Sequence, residues 1–229
     1  MYFDPWLMVL ISPALLLAFI AQIMVSRAYS RANQVSASMS GHDAAREILD
    51  SAGLYDVGIE QVHGHLTDHY DPRDRVLRLS DEVYHNHSMA AVGIAAHEAG
   101  HALQHAYGYA PLTIRNLAVP VANFGSGFGM IIMMVGMAFG LVAVAWAGLL
   151  LFGSVMAFQV INLPVEFNAS SRAKDLLVQL GIVHSSEMSE VRKVLRAAAL
   201  TYVAGTLQSI LTFLYYAMRI MAAASSRDD

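Results

Sequence analysis

The segment His97–His101 reads His-Glu-Ala-Gly-His, and its residue types and spacing could bind a metal ion and activate water. In an α-helix, residues four positions apart lie on one face, so His97 and His101 can place two imidazoles on one ion. This is the H-E-x-x-H pattern, for which Zn²⁺ is the expected metal. Glu98 points to the side of that face, where it can take the proton of a zinc-bound water. The alternative, a buried helix with two hydrogen-bonded histidines, does not account for Glu98 between them.

The motif lies on an alanine-rich segment that carries helix signals at both ends. Ser88 is the predicted N-cap, and the helix is expected to end near Tyr107 and Gly108. A glycine inside a helix costs about 1 kcal/mol relative to alanine. We therefore expect another backbone or a substrate to approach closely at Gly100.

A catalytic zinc site needs a third protein ligand and an open position. His105 continues the row of histidines but lies about 12 Å along the helix axis from His97, too far to share one ion. A longer motif with a third histidine is absent, because Gln104 and Tyr107 stand where Gly and His are required. Glu166, the first carboxylate after a long apolar stretch, is the better candidate, since thermolysin also takes a glutamate as its third ligand. The alternative is a glutamate that merely closes a membrane span.

The composition indicates a membrane protein with a modest polar part. Of 229 residues, 56% are hydrophobic and only 14% are charged, whereas a soluble domain has about 25% charged residues. The absence of Cys excludes disulfides, thiolate ligands and Cys nucleophiles, so a zinc site must use His and carboxylates. The net charge of −4 and the lack of a basic block give no reason to expect a nucleic-acid partner.

Four stretches without charged residues are long enough to cross a bilayer, which takes about 20 helical residues. They cover about residues 5–26, 117–138, 142–163 and 197–218. The two middle stretches are predicted to be joined by a very short turn near Gly140, and the G-x-x-x-G spacings in and beside them permit close helix contact. The first stretch is predicted to be a retained helix rather than a signal peptide, because no Lys or Arg precedes it and no A-x-A site follows it.

The polar residues fall into segments 27–115 and 164–196. The first predicts an amphipathic helix at 43–53 that ends at Gly53, and then three strands that form a small antiparallel sheet. The strands are expected at 57–62, 65–70 and 75–79. An edge of this sheet could hold an extended peptide by strand addition, or the sheet could merely cover the metal helix.

The second polar segment predicts a helix that resumes at Pro164 and ends at Gly181, followed by another that starts at Ser185 or Ser186. All Lys and Arg except Arg219 and Arg227 lie in the two polar segments. By the positive-inside rule these segments face the cytoplasm, in an inner-membrane protein whose residues 1–229 form one domain.

Six motifs, in this order along the chain, together resemble the bacterial neutral zinc metallopeptidases of the YugP type. They cover residues 66–72, 78–80, 95–104, 108–111, 162–170 and 196–202. The resemblance extends over nearly the whole chain and implies a gluzincin-like peptidase that is integral to the membrane. It implies His97, His101 and Glu166 as zinc ligands and Glu98 as the catalytic base. The expected fold is a mainly α, α+β membrane protein with four transmembrane helices and a cytoplasmic zincin-like domain.

The chain departs from thermolysin at the position four residues after Glu166, where Ser170 replaces the aspartate that orients a ligand histidine. The orienting group is then expected from Asp68, Asp81 or Asp175, or from a backbone carbonyl.

The oxyanion of the tetrahedral intermediate also needs a positioned donor beside the zinc. Tyr202, at the start of the fourth span, is the first choice, with Arg172, His69 and Tyr109 as other candidates. The alternative for Tyr202 is an interfacial aromatic residue.

The expected function is hydrolysis of peptide bonds by a zinc-activated water at the cytoplasmic membrane face. The expected partners are a protein or peptide substrate and the lipid bilayer, while a membrane-protein partner or a homo-oligomer stays open. The alternative is a membrane scaffold or regulatory protein with a structural zinc, which would need a fourth ligand such as His85 or His87. A transporter or channel is disfavoured, because no charged residue lies inside a predicted span.

Overall fold

A computed structural model describes residues 5–225, which form α-helices, one π-helical turn and a three-stranded sheet. The helices are α1 (Pro5–Asn33), α2 (Gly41–Ser51), α3 (Asp81–His85), α4 (Met89–Ala106), α5 (Ala110–Phe124), α6 (Met130–Ala138), α7 (Val142–Gln179) and α8 (Met188–Ser225), with the π-helical turn at Gly125–Gly129. The strands are β1 (Gly58–Val62), β2 (His69–Asp71) and β3 (Val76–Ser80).

These residues divide into two compact units. The apolar unit consists of residues 5–20, 113–163 and 200–225, and the sheet unit consists of residues 21–112 and 164–199. Four helical segments are long and apolar enough to cross a membrane: Pro5–Asn33, Ala110–Ala138, Val142–Gln179 and Met188–Ser225. The prediction of four helices that are able to span a membrane is confirmed, although each helix extends beyond its predicted uncharged stretch.

Glycines bring the helices of the apolar unit into close contact. A Cβ atom on Gly129 would lie 2.7 Å from the backbone nitrogen of Phe152, and one on Gly136 would overlap the backbone of Ala145. Gly140, between α6 and α7, has φ of 65°, a conformation that suits glycine in a tight turn. Both the predicted turn and the close glycine packing are confirmed.

The sheet is mixed, so the predicted antiparallel sheet is wrong. The strand order is β1-β3-β2, with β1 parallel to β3 and β2 antiparallel to it. Six residues separate β1 from β2, too many for the tight hairpin that the prediction required. Asp68, which precedes β2, instead accepts hydrogen bonds from the backbone N–H and the hydroxyl of Ser80 at the end of β3, at 2.7 and 3.0 Å. The third strand therefore lies between the other two.

Helix α4 runs through the core of the sheet unit. Its N-terminus is capped as predicted, because the Ser88 hydroxyl accepts a hydrogen bond from the N–H of Ala91 at 3.2 Å. The helix ends at Ala106, and Gly108 follows with φ of 62°. Its alanines from Ala90 to Ala102 are almost fully buried, which lets neighbouring helices pack close to its backbone.

Helix α7 contains Pro164 without a break, so the predicted restart of a helix at this residue is wrong. A proline removes one helical hydrogen bond and does not always end a helix, particularly in membrane helices. Glu166 therefore lies within a long helix and not in the first turn of a new one.

Candidate metal centre

His97 and His101 on α4 and Glu166 on α7 bring their side chains together in the sheet unit. The Nε2 atoms of His97 and His101 lie 3.3 and 3.8 Å from the same oxygen, Oε2 of Glu166. Ligand atoms on a tetrahedral zinc ion lie about 3.3 Å apart, given metal–ligand bonds of about 2.0–2.1 Å. Two imidazoles and one carboxylate are also a known ligand set of catalytic zinc. The two distances to Glu166 and the chemistry of the three groups therefore fit a zinc ion, and all three ligand atoms lie within 4.8 Å of one another.

The contact between α4 and α7 depends on Gly100, which lies one position before His101. A Cβ atom at Gly100 would lie 2.8 Å from the carbonyl oxygen of Ala169 and 3.3 Å from its Cα. The backbone of α7 thus fills the space that a side chain would take. The expectation of a close backbone approach at Gly100 is confirmed.

Each histidine uses its second ring nitrogen for a hydrogen bond. The Nδ1 atom of His97 lies 3.1 Å from the hydroxyl of Ser170, and Nδ1 of His101 lies 3.0 Å from Oε1 of Gln104. Such partners fix the orientation of a ligand imidazole and the nitrogen that carries its proton. In both rings Nδ1 is engaged, and Nε2 is directed towards Glu166.

Gln104 defines the tautomer of His101. Its amide nitrogen donates to the carbonyl oxygen of Val165 at 2.8 Å and to Oδ1 of Asn168 at 3.0 Å. Because a carbonyl oxygen can only accept, the NH₂ group of Gln104 must face α7 and its oxygen must face His101. The Nδ1 atom of His101 therefore carries the hydrogen, and its Nε2 keeps the lone pair that a metal requires.

The three aspartates proposed to orient a ligand histidine do not do so. Asp68 accepts from Ser80, and Asp81 accepts from Gln61, while the side chain of Asp175 forms no hydrogen bond or ion pair within residues 5–225. The orienting oxygens come from a hydroxyl and an amide instead. Sequence reasoning treated Gln104 only as a missing glycine, although its position three residues after His101 places it on the same side of the helix.

Glu98 is buried beside the metal ligands, and β2 supplies a partner for it. The backbone N–H of Tyr70 donates to Oε2 of Glu98 at 3.1 Å. Burial raises the pKa of Glu98 to about 7, and the nearby Glu166 and Asp68 carboxylates contribute in the same direction. A carboxyl group with a pKa near neutrality can both accept and return a proton.

The electrostatics at His97 favour a positive charge. Burial lowers the pKa of His97, but the hydrogen bond to Glu166 and the charges of Glu98 and Glu166 outweigh it, so that the pKa is raised. The two carboxylates beside His97 thus stabilise a cation at this position, which also fits a bound metal ion.

Other candidate residues lie elsewhere or have other partners. Tyr202 lies on α8 in the apolar unit, and its role stays a prediction. The Tyr109 hydroxyl donates to the carbonyl oxygen of Pro164 at 3.4 Å, and Arg172 donates to Asn168 at 2.8 Å. His105 pairs with the Tyr70 hydroxyl at 2.9 Å.

Across residues 5–225, the one group of three or more potential metal ligands is His97, His101 and Glu166, so neither His85 nor His87 joins it.

Replacement of Gln104 by alanine should weaken zinc binding. The variant removes the acceptor that holds His101 and the amide that ties α4 to α7, and loss of such partners typically lowers metal affinity 10- to 100-fold. Competition with a zinc-binding dye on the detergent-purified protein would measure the change. Gln179→Ala, at the exposed end of α7, is the matched control and should bind zinc like the wild type. Equal affinity in the two variants would show that Gln104 does not position His101.

Replacement of Gly100 by alanine should destabilise the sheet unit and lower zinc content. The added methyl group overlaps Ala169, and overpacking of this kind costs about 1–3 kcal/mol. Gly205→Ala is the control, because its nearest neighbour lies 3.8 Å from the new Cβ, and it should leave the unfolding temperature unchanged or raise it. Thermal unfolding with and without zinc would compare them. An unchanged Gly100→Ala protein would contradict the proposed role of the close contact.

The sequence matches a protein family and a bacterial relative over nearly its whole length. Residues 7–221 match the model of a family described as "Putative neutral zinc metallopeptidase". The chain is similar to "Putative membrane protease YugP" of Bacillus subtilis (strain 168), with 47% identity over 218 residues, which is 94% of this chain and 96% of that protein. No solved structure matches. Both likenesses extend from the first predicted span to the last.

Proposed function

Because the chain belongs to the family of neutral zinc metallopeptidases whose model residues 7–221 match, we propose that it is a membrane-bound enzyme that hydrolyses peptide bonds. The observation that carries the proposal is the combination of three zinc ligands with a buried acid–base group. His97, His101 and Glu166 supply only three of the four positions of a tetrahedral zinc, as in catalytic sites. A closed structural site, which the scaffold alternative requires, would need one more ligand within the described residues.

Each residue has a separate task in this proposal. His97, His101 and Glu166 would hold Zn²⁺, which when bound lowers the pKa of water and polarises a carbonyl group. Glu98 takes the proton from the attacking water and passes it to the leaving amine. Its pKa of about 7 suits both transfers near neutral pH.

The sheet offers a place for the substrate backbone. Strand β2 is an edge strand, and it lies beside Glu98, as the hydrogen bond from Tyr70 shows. An extended peptide could add to this edge and place its scissile bond near the metal ligands. We keep Tyr202 as the proposed donor to the oxyanion, since a phenolic hydroxyl can stabilise such a charge.

We further propose that the protein lies in the bacterial inner membrane with its metal site facing the cytoplasm, as the distribution of Lys and Arg favours. Its substrate is a protein or peptide near that face. That both units work as a single membrane-embedded domain of residues 1–229 stays a prediction.

Two substitutions separate catalysis from metal binding. Glu98→Gln should retain about one zinc per chain and lose peptidase activity by 100-fold or more, because an amide cannot accept the proton. Glu166→Ala should lose zinc, since a ligand is removed. Metal analysis and cleavage of a quenched fluorescent peptide library by the detergent-purified protein would measure both properties.

Glu187→Gln, at an exposed residue just before α8, is the matched control and should keep both zinc and activity. Full activity of zinc-loaded Glu98→Gln would overturn the proposed base. Zinc retained in Glu166→Ala would show that the third ligand lies elsewhere and would favour the structural-zinc alternative.

Membrane orientation can be measured because the chain has no Cys. A single Cys at Arg73, in the turn before β3, should be protected from a membrane-impermeant maleimide in spheroplasts and labelled after lysis. A single Cys at Phe139, which is 74% exposed in the turn between α6 and α7, should be labelled before lysis. The opposite pattern would place the metal site outside the cytoplasm.

A further inference from the structure

A basic pocket in the sheet unit includes none of the metal ligands among its lining residues. It has a volume of about 660 Å³ and is lined by α1 and the first turns of α8. Its charged lining residues are all cationic: Arg27, Arg31, Lys193 and Arg196. The chain as a whole has a net charge of −4, so this concentration of positive charge is not a general property of its surface.

Most of this positive charge is not neutralised by the protein. Lys193 pairs with Glu190 at 2.5 Å. Arg27, Arg31 and Arg196 form no ion pair with any carboxylate in residues 5–225. Glu190 is close enough to Arg31 for that guanidinium to contribute to its lowered pKa, after the larger effect of Lys193. One carboxylate thus faces four cations, which leaves a strong preference for an anion.

The sequence places this pocket at the boundary of the bilayer. Helix α1 has no charged residue from Pro5 to Ser26, and α8 has none from Ala197 to Met218. The pocket forms where both uncharged stretches meet their first basic residues, which is the level of lipid headgroups. Met24 and Ala197 give it an apolar wall, and Ser26 and Ser30 add hydroxyl donors.

We propose that this pocket binds the phosphate of an anionic phospholipid. The guanidinium groups can form paired hydrogen bonds with phosphate oxygens, and the apolar wall can contact the start of an acyl chain. A free phosphate ion would use the same donors but not the apolar wall. The site is independent of the proposed peptidase activity, because it uses none of the metal ligands.

The test measures binding of phosphatidylglycerol to the lipid-depleted, detergent-purified protein. Native mass spectrometry detects the bound lipid, and thermal unfolding measures its effect on stability. Wild type should bind the lipid and unfold at a higher temperature in its presence, while zwitterionic phosphatidylcholine should have little effect. Removal of three cations in Arg27→Gln/Arg31→Gln/Arg196→Gln should weaken binding roughly fivefold per charge, or on the order of 100-fold in total. The corresponding triple Arg→Lys variant should retain most of the affinity, since it keeps the charges.

A control variant has the same change in charge outside the pocket. Arg73→Gln/Arg75→Gln/Lys174→Gln should bind phosphatidylglycerol like the wild type, because none of these residues lines the pocket. Zinc content, which should be unchanged in all variants, verifies that each has folded. Equal lipid affinity in the two triple Gln variants would overturn the proposal. If inorganic phosphate alone stabilised the protein as much as the lipid does, the proposal that the ligand is a lipid would be wrong. It would also be wrong if an acidic peptide stabilised the protein and phosphatidylglycerol did not.

Discussion

The close contact between α4 and α7 at Gly100 is the constraint on which the metal centre depends. Two ligands lie on one helix and the third on the other, so the distance between the helices sets the distance between ligands. A Cβ at Gly100 would lie 2.8 Å from Ala169, and ordinary contact would require a shift of about 0.6 Å. Metal–ligand distances vary by only about 0.2 Å. Alanine at this position would therefore require the backbone of α7, three residues from Glu166, to shift by more than this tolerance.

Gln104 fixes the relative arrangement of the two helices that Gly100 allows to pack closely. The buried amide donates to α7 beside Glu166 and accepts from His101, so one side chain links the packing of two helices to the tautomer of a ligand. A buried amide without these partners would be costly, which means that the network favours a single arrangement of the helices. The same hydrogen bonds that stabilise the fold thus prepare the site for its metal.

The local features of this protein could be predicted from sequence, whereas the partners across elements could not. The four apolar helices, the Ser88 cap, the turn at Gly140 and the glycine at the helix contact follow from composition, capping and spacing within short segments. The partners of the ligand histidines depend on how two distant helices face each other. The search for an orienting carboxylate therefore missed Gln104 and Ser170, which have no charge to indicate their role.

The order of the strands, which the sequence did not reveal, has a direct consequence for Glu98. In a meander, β2 would lie in the centre of the sheet, and its backbone N–H groups would be used by both neighbours. Because β3 takes the centre instead, β2 is left at an edge, and the N–H of Tyr70 is available to Glu98. Burial raises the pKa of Glu98, whereas the charge of His97 and, to a smaller extent, this hydrogen bond lower it. The mixed topology therefore leaves β2 at an edge of the sheet, where its backbone holds the side chain of the proposed base.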